Sequence, residues 1–335
     1  MKFRKMRCFV NEIVAFLAKS PADGEWCGWE ISRINGSGNN ILYRATGHGC
    51  DWAVKFTIRD ERRRAWREFQ ALTVLQEAGL SIAPKPILLD ESRCAQPVVV
   101  QSWLEGEVTA VPPQTDSEWH LLLDHYAVLA TVSPQTTSVT MLEAGINFNG
   151  IKHGLQHIYA HLQMLPESHQ PTILCQLIPA VEKMASTIEQ EVEPVLGLCR
   201  VDGNTLNFVR RADQWLSVDW ENCGWGDPAF EIVDLMCHPA YLDVPWPRWE
   251  WVMWQYAAKV GDETAVIRIQ NTYPVLLVWW IIRLARFLYE VPRGKDERLV
   301  QRPDNWQDDI EQKMERYVER VTAVLSHLPG SFKTI

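Results

Sequence analysis

The sequence predicts an α+β chain of two lobes, a small antiparallel-sheet lobe followed by a larger, mainly helical one. Three observations carry this. Strand-like runs crowd into residues 25–105, separated by Gly-rich turns. From residue 106 onward, apolar residues recur at helical spacing in six long stretches. One strand-like island, "LCRVDGNTLNFVRRADQWLSVDW" at 198–220, interrupts those helices.

The elements follow in order. In the opening "MKFRKMRCFVNEIVAFLAKS", Phe9, Val10, Ile13, Phe16 and Leu17 fall on one helical face. Asn11 and Glu12 break the apolar run and no small-residue cleavage site follows, so residues 1–20 read as an amphipathic helix rather than a signal peptide. "WEISRI", "NILYRAT" and "DWAVKFTI" read as strands. A helix spans about 60–79, with Ala65, Phe69, Leu72 and Leu75 on one face and Gly79 at its end. "APKPILLD" and "QPVVVQSWLEG" supply two more strands, the second apolar enough to be central. Gly106 opens the polar, Pro-containing "EVTAVPPQTDSEW", which divides a lobe over 1–105 from one over 106–335. Helices are then expected at 117–133, 150–165, 171–192, 248–260, 263–290 and 306–327. Arg283 and Arg286 interrupt "VLLVWWIIRLARFL", which is too short to span a bilayer and so reads as a core helix.

Composition narrows the function classes. With 47% hydrophobic and 22% charged residues and 16 tryptophans, the 335-residue chain has the make-up of a folded soluble protein. A net charge of −9 argues against non-specific nucleic-acid binding, which depends on neutralising phosphates. The eight cysteines form no C-x-x-C pair, so a reduced cytoplasm is expected, with most of them small buried apolar residues and no structural zinc.

The island holds the first candidate chemistry. If its turn centres on Asp213, Asn207 and Asp219 become direct cross-strand opposites, about 4.5–5.5 Å apart. Two oxygen donors so placed can share a hard cation such as Mg²⁺, which needs only one or two protein oxygens. Asp202, on the preceding "DGNT" turn, can accept a hydroxyl proton while the hydroxyl attacks phosphorus. The same residues also read as ordinary turn and strand-end formers. In the first lobe, Lys55 stands mid-strand between Val54 and Phe56, and Glu68 follows on the helix. A strand Lys paired with a helix Glu is what a kinase-type phosphate site requires; a snorkelling Lys and a surface Glu fit the pair equally. Gly36-Ser37-Gly38 could cover phosphates with backbone N–H groups or simply form a hairpin turn. There is no Walker-type G-x-x-x-x-G-K-[ST], which excludes P-loop chemistry.

"VDGNTLNFV…LSVDWENCGWGDPAFEIVDL" resembles the "HGDxxxxNvl…IDWExagxGDPaxDLA" pattern of the aminoglycoside phosphotransferase / choline kinase family, over roughly residues 30–240. The resemblance implies a protein-kinase-like bilobal fold and an ATP- or GTP-dependent small-molecule O-phosphotransferase. It makes Asp202 the catalytic base, Asn207 and Asp219 the Mg²⁺ ligands, Lys55 the phosphate-binding lysine and Glu68 its helix partner. "VVVQSWLEGE" resembles the adenine-holding strand, with the backbone of Ser102 and Leu104 as base contacts. Asp227 is expected to cap the "PAFEIVDLM" helix and Asp234 to tie that helix to the catalytic loop. Glu221 is left between a metal- or substrate-facing group and a structural or solvated carboxylate.

Two departures stand out: Arg200 replaces the family's histidine, and Val201 its glycine. After Asp219 there is no long activation segment, so a small hydroxylated acceptor (aminoglycoside-, choline- or sugar-like) is expected rather than a peptide. The aromatics of "YLDVPWPRWEWVMWQY" and "YPVLLVWWIIRLARFLYE" read mainly as core, with some available to a cationic acceptor. The alternative is a catalytically silent kinase-like protein that binds nucleotide or a partner.

Overall fold

The computed structural model describes residues 2–19, 23–35, 39–188, 192–296 and 298–326. The proposed phosphate-covering turn, Gly36-Ser37-Gly38, lies outside the described residues. Helix α1 (Lys2–Lys19) lays Val10, Ile13, Val14 and Leu17 on a six-stranded sheet, the i, i+3, i+4, i+7 stripe of an amphipathic helix. The strands are β1 (Gly24–Trp26), β2 (Trp29–Ile34), β3 (Ile41–Gly47), β4 (Cys50–Phe56), β5 (Pro86–Asp90) and β6 (Val98–Ser102). Their order is β1-β2-β3-β4-β6-β5, antiparallel throughout. Helix α2 (Arg64–Glu77) sits between β4 and β5 in the chain.

Strand pleating explains why a lysine is tolerated in β4. Trp52, Val54 and Phe56 pack with α1 on one face, so Ala53 and Lys55 point to the other, where α2 lies. As expected from its apolar run, β6 is central, and Val98, Val99 and Val100 are fully buried.

The helical part contains α3 (Asp116–Ala130), α4 (Ile151–Gln163), α5 (Leu174–Ser186), α6 (Phe230–Cys237), α7 (Trp246–Val260), α8 (Ala265–Glu290) and α9 (Trp306–Ser326). Thr115 and Glu118 form a capping box that starts α3 just after the linker. Helix α8 is the core rod: Val275, Leu276, Leu277, Val278, Ile281 and Ile282 are all fully buried. Among the described residues, no helix is long and apolar enough to cross a membrane. Of the ten aromatics of α7 and α8, Trp249, Tyr256, Tyr273 and Trp279 are buried, Trp251, Trp280, Phe287 and Tyr289 are half-buried, and Trp246 and Trp254 are exposed, so fewer are core than expected.

Two short antiparallel pairs carry the island. β7 (Gly197–Cys199) pairs with β10 (Gly224–Gly226), and β8 (Phe208–Arg210) pairs with β9 (Trp215–Ser217). The register corrects the expected hairpin. Phe208 faces Ser217 and Arg210 faces Trp215, so the turn centres between Ala212 and Asp213 and Asn207 falls opposite Val218, not Asp219. Val218 N donates to Asn207 O at 2.9 Å. Of the seven described cysteines, Cys199, Cys223 and Cys237 are buried, whereas Cys27 and Cys175 are exposed, so most are not core residues as expected.

The linker is stitched to the β8–β9 hairpin. Glu107 and Arg210 exchange backbone hydrogen bonds of 3.0 and 2.7 Å. A Cβ on Gly106, at φ +154°, would stand 2.5 Å from Val209 Cγ1, so only glycine admits that approach.

Candidate active site

Lys55 reaches from β4 into a set of buried carboxylates. Its Nζ donates to Glu68 Oε2 at 2.7 Å and to Asp219 Oδ1, and lies 3.6 Å from Glu221 Oε2. The expected Lys55–Glu68 pair is thus formed, with both side chains buried. Asp219 follows β9 at φ +61°, a left-handed conformation uncommon for aspartate. This local reversal, rather than the expected cross-strand pairing, turns its carboxylate toward Lys55.

Glu221 is not solvated. It is 3% exposed, and accepts from Asn40 Nδ2 at 2.8 Å and from Arg64 Nη1 at 2.5 Å. Arg64 also bonds Asp60 at 2.8 Å. Sequence reasoning left Glu221 undecided and did not single out Arg64 or Asn40. The Asp-x-Glu spacing of Asp219 and Glu221 was the available signal, but the Glu221 partners Arg64 and Asn40 lie 157 and 181 residues away.

Asp202 lies on a loop suspended from α6. Gly203 N donates to Asp234 Oδ2 at 2.6 Å and Val201 N to Glu231 Oε1 at 3.0 Å, so one helix face supplies two anchors. The expected Asp234 tie is present. Arg200 is fully buried, donates to the Asp202 carbonyl, and packs 4.8 Å from the Phe208 ring centroid. Asn204 N donates to Asp202 Oδ1 at 3.2 Å. Asp227 does not cap α6 as expected, since the N-cap is Ala229, whose side chain makes no cap bond; Asp227 accepts from Ala229 N at 2.9 Å in the turn before the helix and is clamped by Arg268 at 2.9 and 3.1 Å.

Electrostatics identifies what is missing from this cluster. Burial raises the pKa of Asp219 above the usual carboxylate range; Lys55 opposes this, while Glu221 and Asp202 add to it. Burial likewise raises Asp202, against the pull of Arg200. Burial works against the Lys55 ammonium, yet Asp219, Glu68 and Glu221 together hold its pKa above normal. For Glu221 burial is outweighed by Lys55 and Arg64, which keep its pKa low. Asp202, Glu68, Asp219 and Glu221 thus face three cations, Lys55, Arg64 and Arg200, which leaves the cluster net negative. A divalent cation would offset that charge.

The donor set fits Mg²⁺. Asp219 offers a hard carboxylate oxygen and the buried Asn207 a carboxamide oxygen, its side chain hydrogen-bonded to Asp202. No group of three or more His, Cys, Asp or Glu converges as a metal cage among those residues. Mg²⁺ needs none, since waters and phosphates complete its shell. Ser102 ends β6 with its amide given to Lys85 O at 2.9 Å, and Leu104 follows in the linker.

The comparisons agree with this architecture. Across solved structures the chain is similar to a choline/ethanolamine kinase family protein from Mesorhizobium loti, with TM-score 0.64 and 17% identity over 96% of this chain and 95% of that one. It is similar to the choline kinase LicA from Streptococcus pneumoniae, with TM-score 0.59 and 14% identity over 96% and 100%. It is also similar to a spectinomycin phosphotransferase seen with ADP and spectinomycin, with TM-score 0.59 and 11% identity over 95% and 97%. At such identities the likeness is one of fold, and the fold is the kinase-like one. No curated protein matches the sequence significantly. The model of the phosphotransferase enzyme family matches residues 30–277, most of the chain, and with the Lys55–Glu68–Asp219 geometry in place the conclusion is direct: this protein belongs to the phosphotransferase enzyme family.

Proposed function

We propose that the protein transfers the γ-phosphoryl group of ATP or GTP to a hydroxyl of a small molecule. The observation that carries the reading is Lys55 held between Glu68, on α2, and Asp219, after β9, with Glu221 3.6 Å away. An ammonium so placed can neutralise transferring phosphates. The fold relatives support a nucleotide co-substrate, since the spectinomycin phosphotransferase was solved with ADP and a relative 2′-phosphotransferase with GDP.

The residues divide the work. Ser102 and Leu104 offer backbone groups to the base. Lys55, positioned by Glu68, holds phosphate oxygens. Asn207 and Asp219 would hold Mg²⁺, which supplies charge neutralisation on the phosphates when bound. Asp202 accepts the hydroxyl proton as the acceptor oxygen bonds to the γ-phosphorus; the bond to the bridging oxygen breaks and nucleoside diphosphate leaves. Arg200, Glu231 and Asp234 fix the Asp202 loop rather than touch the reactants.

Asp202→Asn tests this. Turnover is expected to fall about 10³-fold while the nucleotide Kd changes little, because a general base acts in the transition state. An Asp202→Asn enzyme that keeps wild-type turnover would overturn the assignment.

A further inference from the structure

The end of α8 and the segment that follows it carry arginines beyond those the phosphate site uses. Arg283 and Arg286 stand on the last two turns of α8, and Arg298 and Arg302 on the connection to α9. Their charge is only partly answered. Arg286 bonds Glu290 at 2.6 Å and His161 at 2.9 Å, and Arg302 bonds Asp296 at 2.6 Å. Among the described residues Arg283 pairs with Glu290, at 3.8 Å and already engaged by Arg286. The three guanidinium groups of Arg283, Arg286 and Arg302 thus meet two carboxylates among the described residues, Glu290 and Asp296.

Two links place the corner beside Glu221 and Lys55. Leu299 N donates to Asn39 O at 3.1 Å, docking the connection on the turn before β3. The adjacent Asn40 bonds Glu221, which lies 3.6 Å from Lys55. Independently, Arg283 is close enough to feel the charge of Arg64, whose other face holds Glu221. Phe287 aligns the set, with the Arg283 guanidinium 3.9 Å and that of Arg302 5.5 Å from its ring centroid. The charge surplus registers on Arg283 itself. Burial, together with the neighbouring Arg286, lowers its pKa to about 10, with Glu290 only partly opposing.

We infer that the acceptor carries, besides its reacting hydroxyl, an oxyanion (carboxylate or phosphate) that seats on Arg283 and Arg302 beside the Glu221 end of the cleft. This rests on the phosphotransferase reading above and narrows its acceptor. A planar guanidinium matches an oxyanion through paired N–H bonds. A cationic alcohol would meet like charge there, which selects against it. The half-buried Phe287 ring of this corner is already taken by the guanidinium groups of Arg283 and Arg302.

The test is a panel of matched hydroxy compounds, read as nucleoside diphosphate release: glycerol, glycerate and glycerol 3-phosphate; glucose, gluconate and glucose 6-phosphate; choline and kanamycin. Anionic members are expected to raise release above the acceptor-free rate, with kcat/KM about tenfold or more above their neutral parents. Carboxylate and phosphate members separate the two kinds of oxyanion. Arg283→Met and, as a second variant should the first unfold, Arg302→Gln are expected to raise KM for the anionic acceptor about tenfold or more, with nucleotide Kd retained. Arg283→Lys should recover only part, lacking the fork. Release stimulated only by neutral or cationic members, or by none while Asp202-dependent hydrolysis continues, overturns the inference alone. Equal loss of nucleotide affinity in Arg283→Met also overturns it. Absence of any Asp202-dependent release instead sinks the phosphotransferase reading beneath it.

Discussion

Val201 holds φ +51°, and for a β-branched side chain that is a strained place. Its amide is fixed by Glu231 and the next residue is Asp202, so the strain sits one bond from the proposed base. The family pattern has glycine here, and the backbone shows why: glycine adopts this conformation without a Cβ clash. Val201 is also buried in the helical core, so Val201→Gly relieves the backbone but removes a packed side chain, and a net loss of about 1 kcal/mol or more is expected, checked by urea unfolding. Unchanged or higher stability would show that the backbone strain outweighs the packing. Asp234 makes a second prediction. Burial, reinforced by Asp202 and Glu231, raises its pKa to about 8. In the unfolded chain it ionises near 3.9. Between those values the folded state holds a proton that the unfolded state has released, so stability contributed by this group is present at low pH and lost as pH rises toward 8. Asp234→Asn keeps an acceptor for Gly203 N and removes the titration. Its unfolding free energy should decline less between pH 5 and pH 8 than that of the wild type.

At the scale of elements, the β7–β10 pair is held by glycine rather than by side chains. A Cβ on Gly224 would lie 2.5 Å from the Glu143 carbonyl carbon, where the 142–145 strap crosses the strand. Ala144 N donates to Trp225 O at 3.0 Å and Trp225 N to Leu142 O at 3.0 Å, so the strap cannot retreat without losing both. Gly224→Ala is expected to cost about 2 kcal/mol or more, seen as a lower Tm. This element also marks where the sequence stops being readable. "GWG" looks like a turn, since three residues with two glycines show no alternation. The long helices and the strands of the first lobe were legible because each repeats its period several times. The β8–β9 hairpin was legible as an element but not in register: moving the turn centre half a residue changes every partner. Asp219 still reaches Lys55 through its left-handed backbone, which no period encodes.

At the scale of the molecule, apolar cores form under the sheet with α1 and among the helices, and ion pairs cross between these regions. The cores were visible in composition and patterning. The crossing pairs were visible only as residue types: a mid-strand lysine and an Asp-x-Glu. Lys55→Met should leave Asp219, Glu68 and Glu221 buried with one cation fewer. The expected loss is about 3 kcal/mol or more of stability, together with weak nucleotide binding, measured by denaturation and titration. Retention of full stability would mean that the carboxylates take up protons in place of the ammonium.

The ammonium resting on Asp219 acts as a built-in rival for both incoming charges. A metal ion seeking Asp219 must dislodge it, and a phosphate attracting it must strip Asp219 of its counter-charge. Each ligand alone costs Asp219 or Lys55 a counter-charge, Lys55 keeping Glu68; arriving together, they swap partners and neither loses one. Thermal shifts should accordingly be small with Mg²⁺ alone and with ATP alone, and larger than their sum with both.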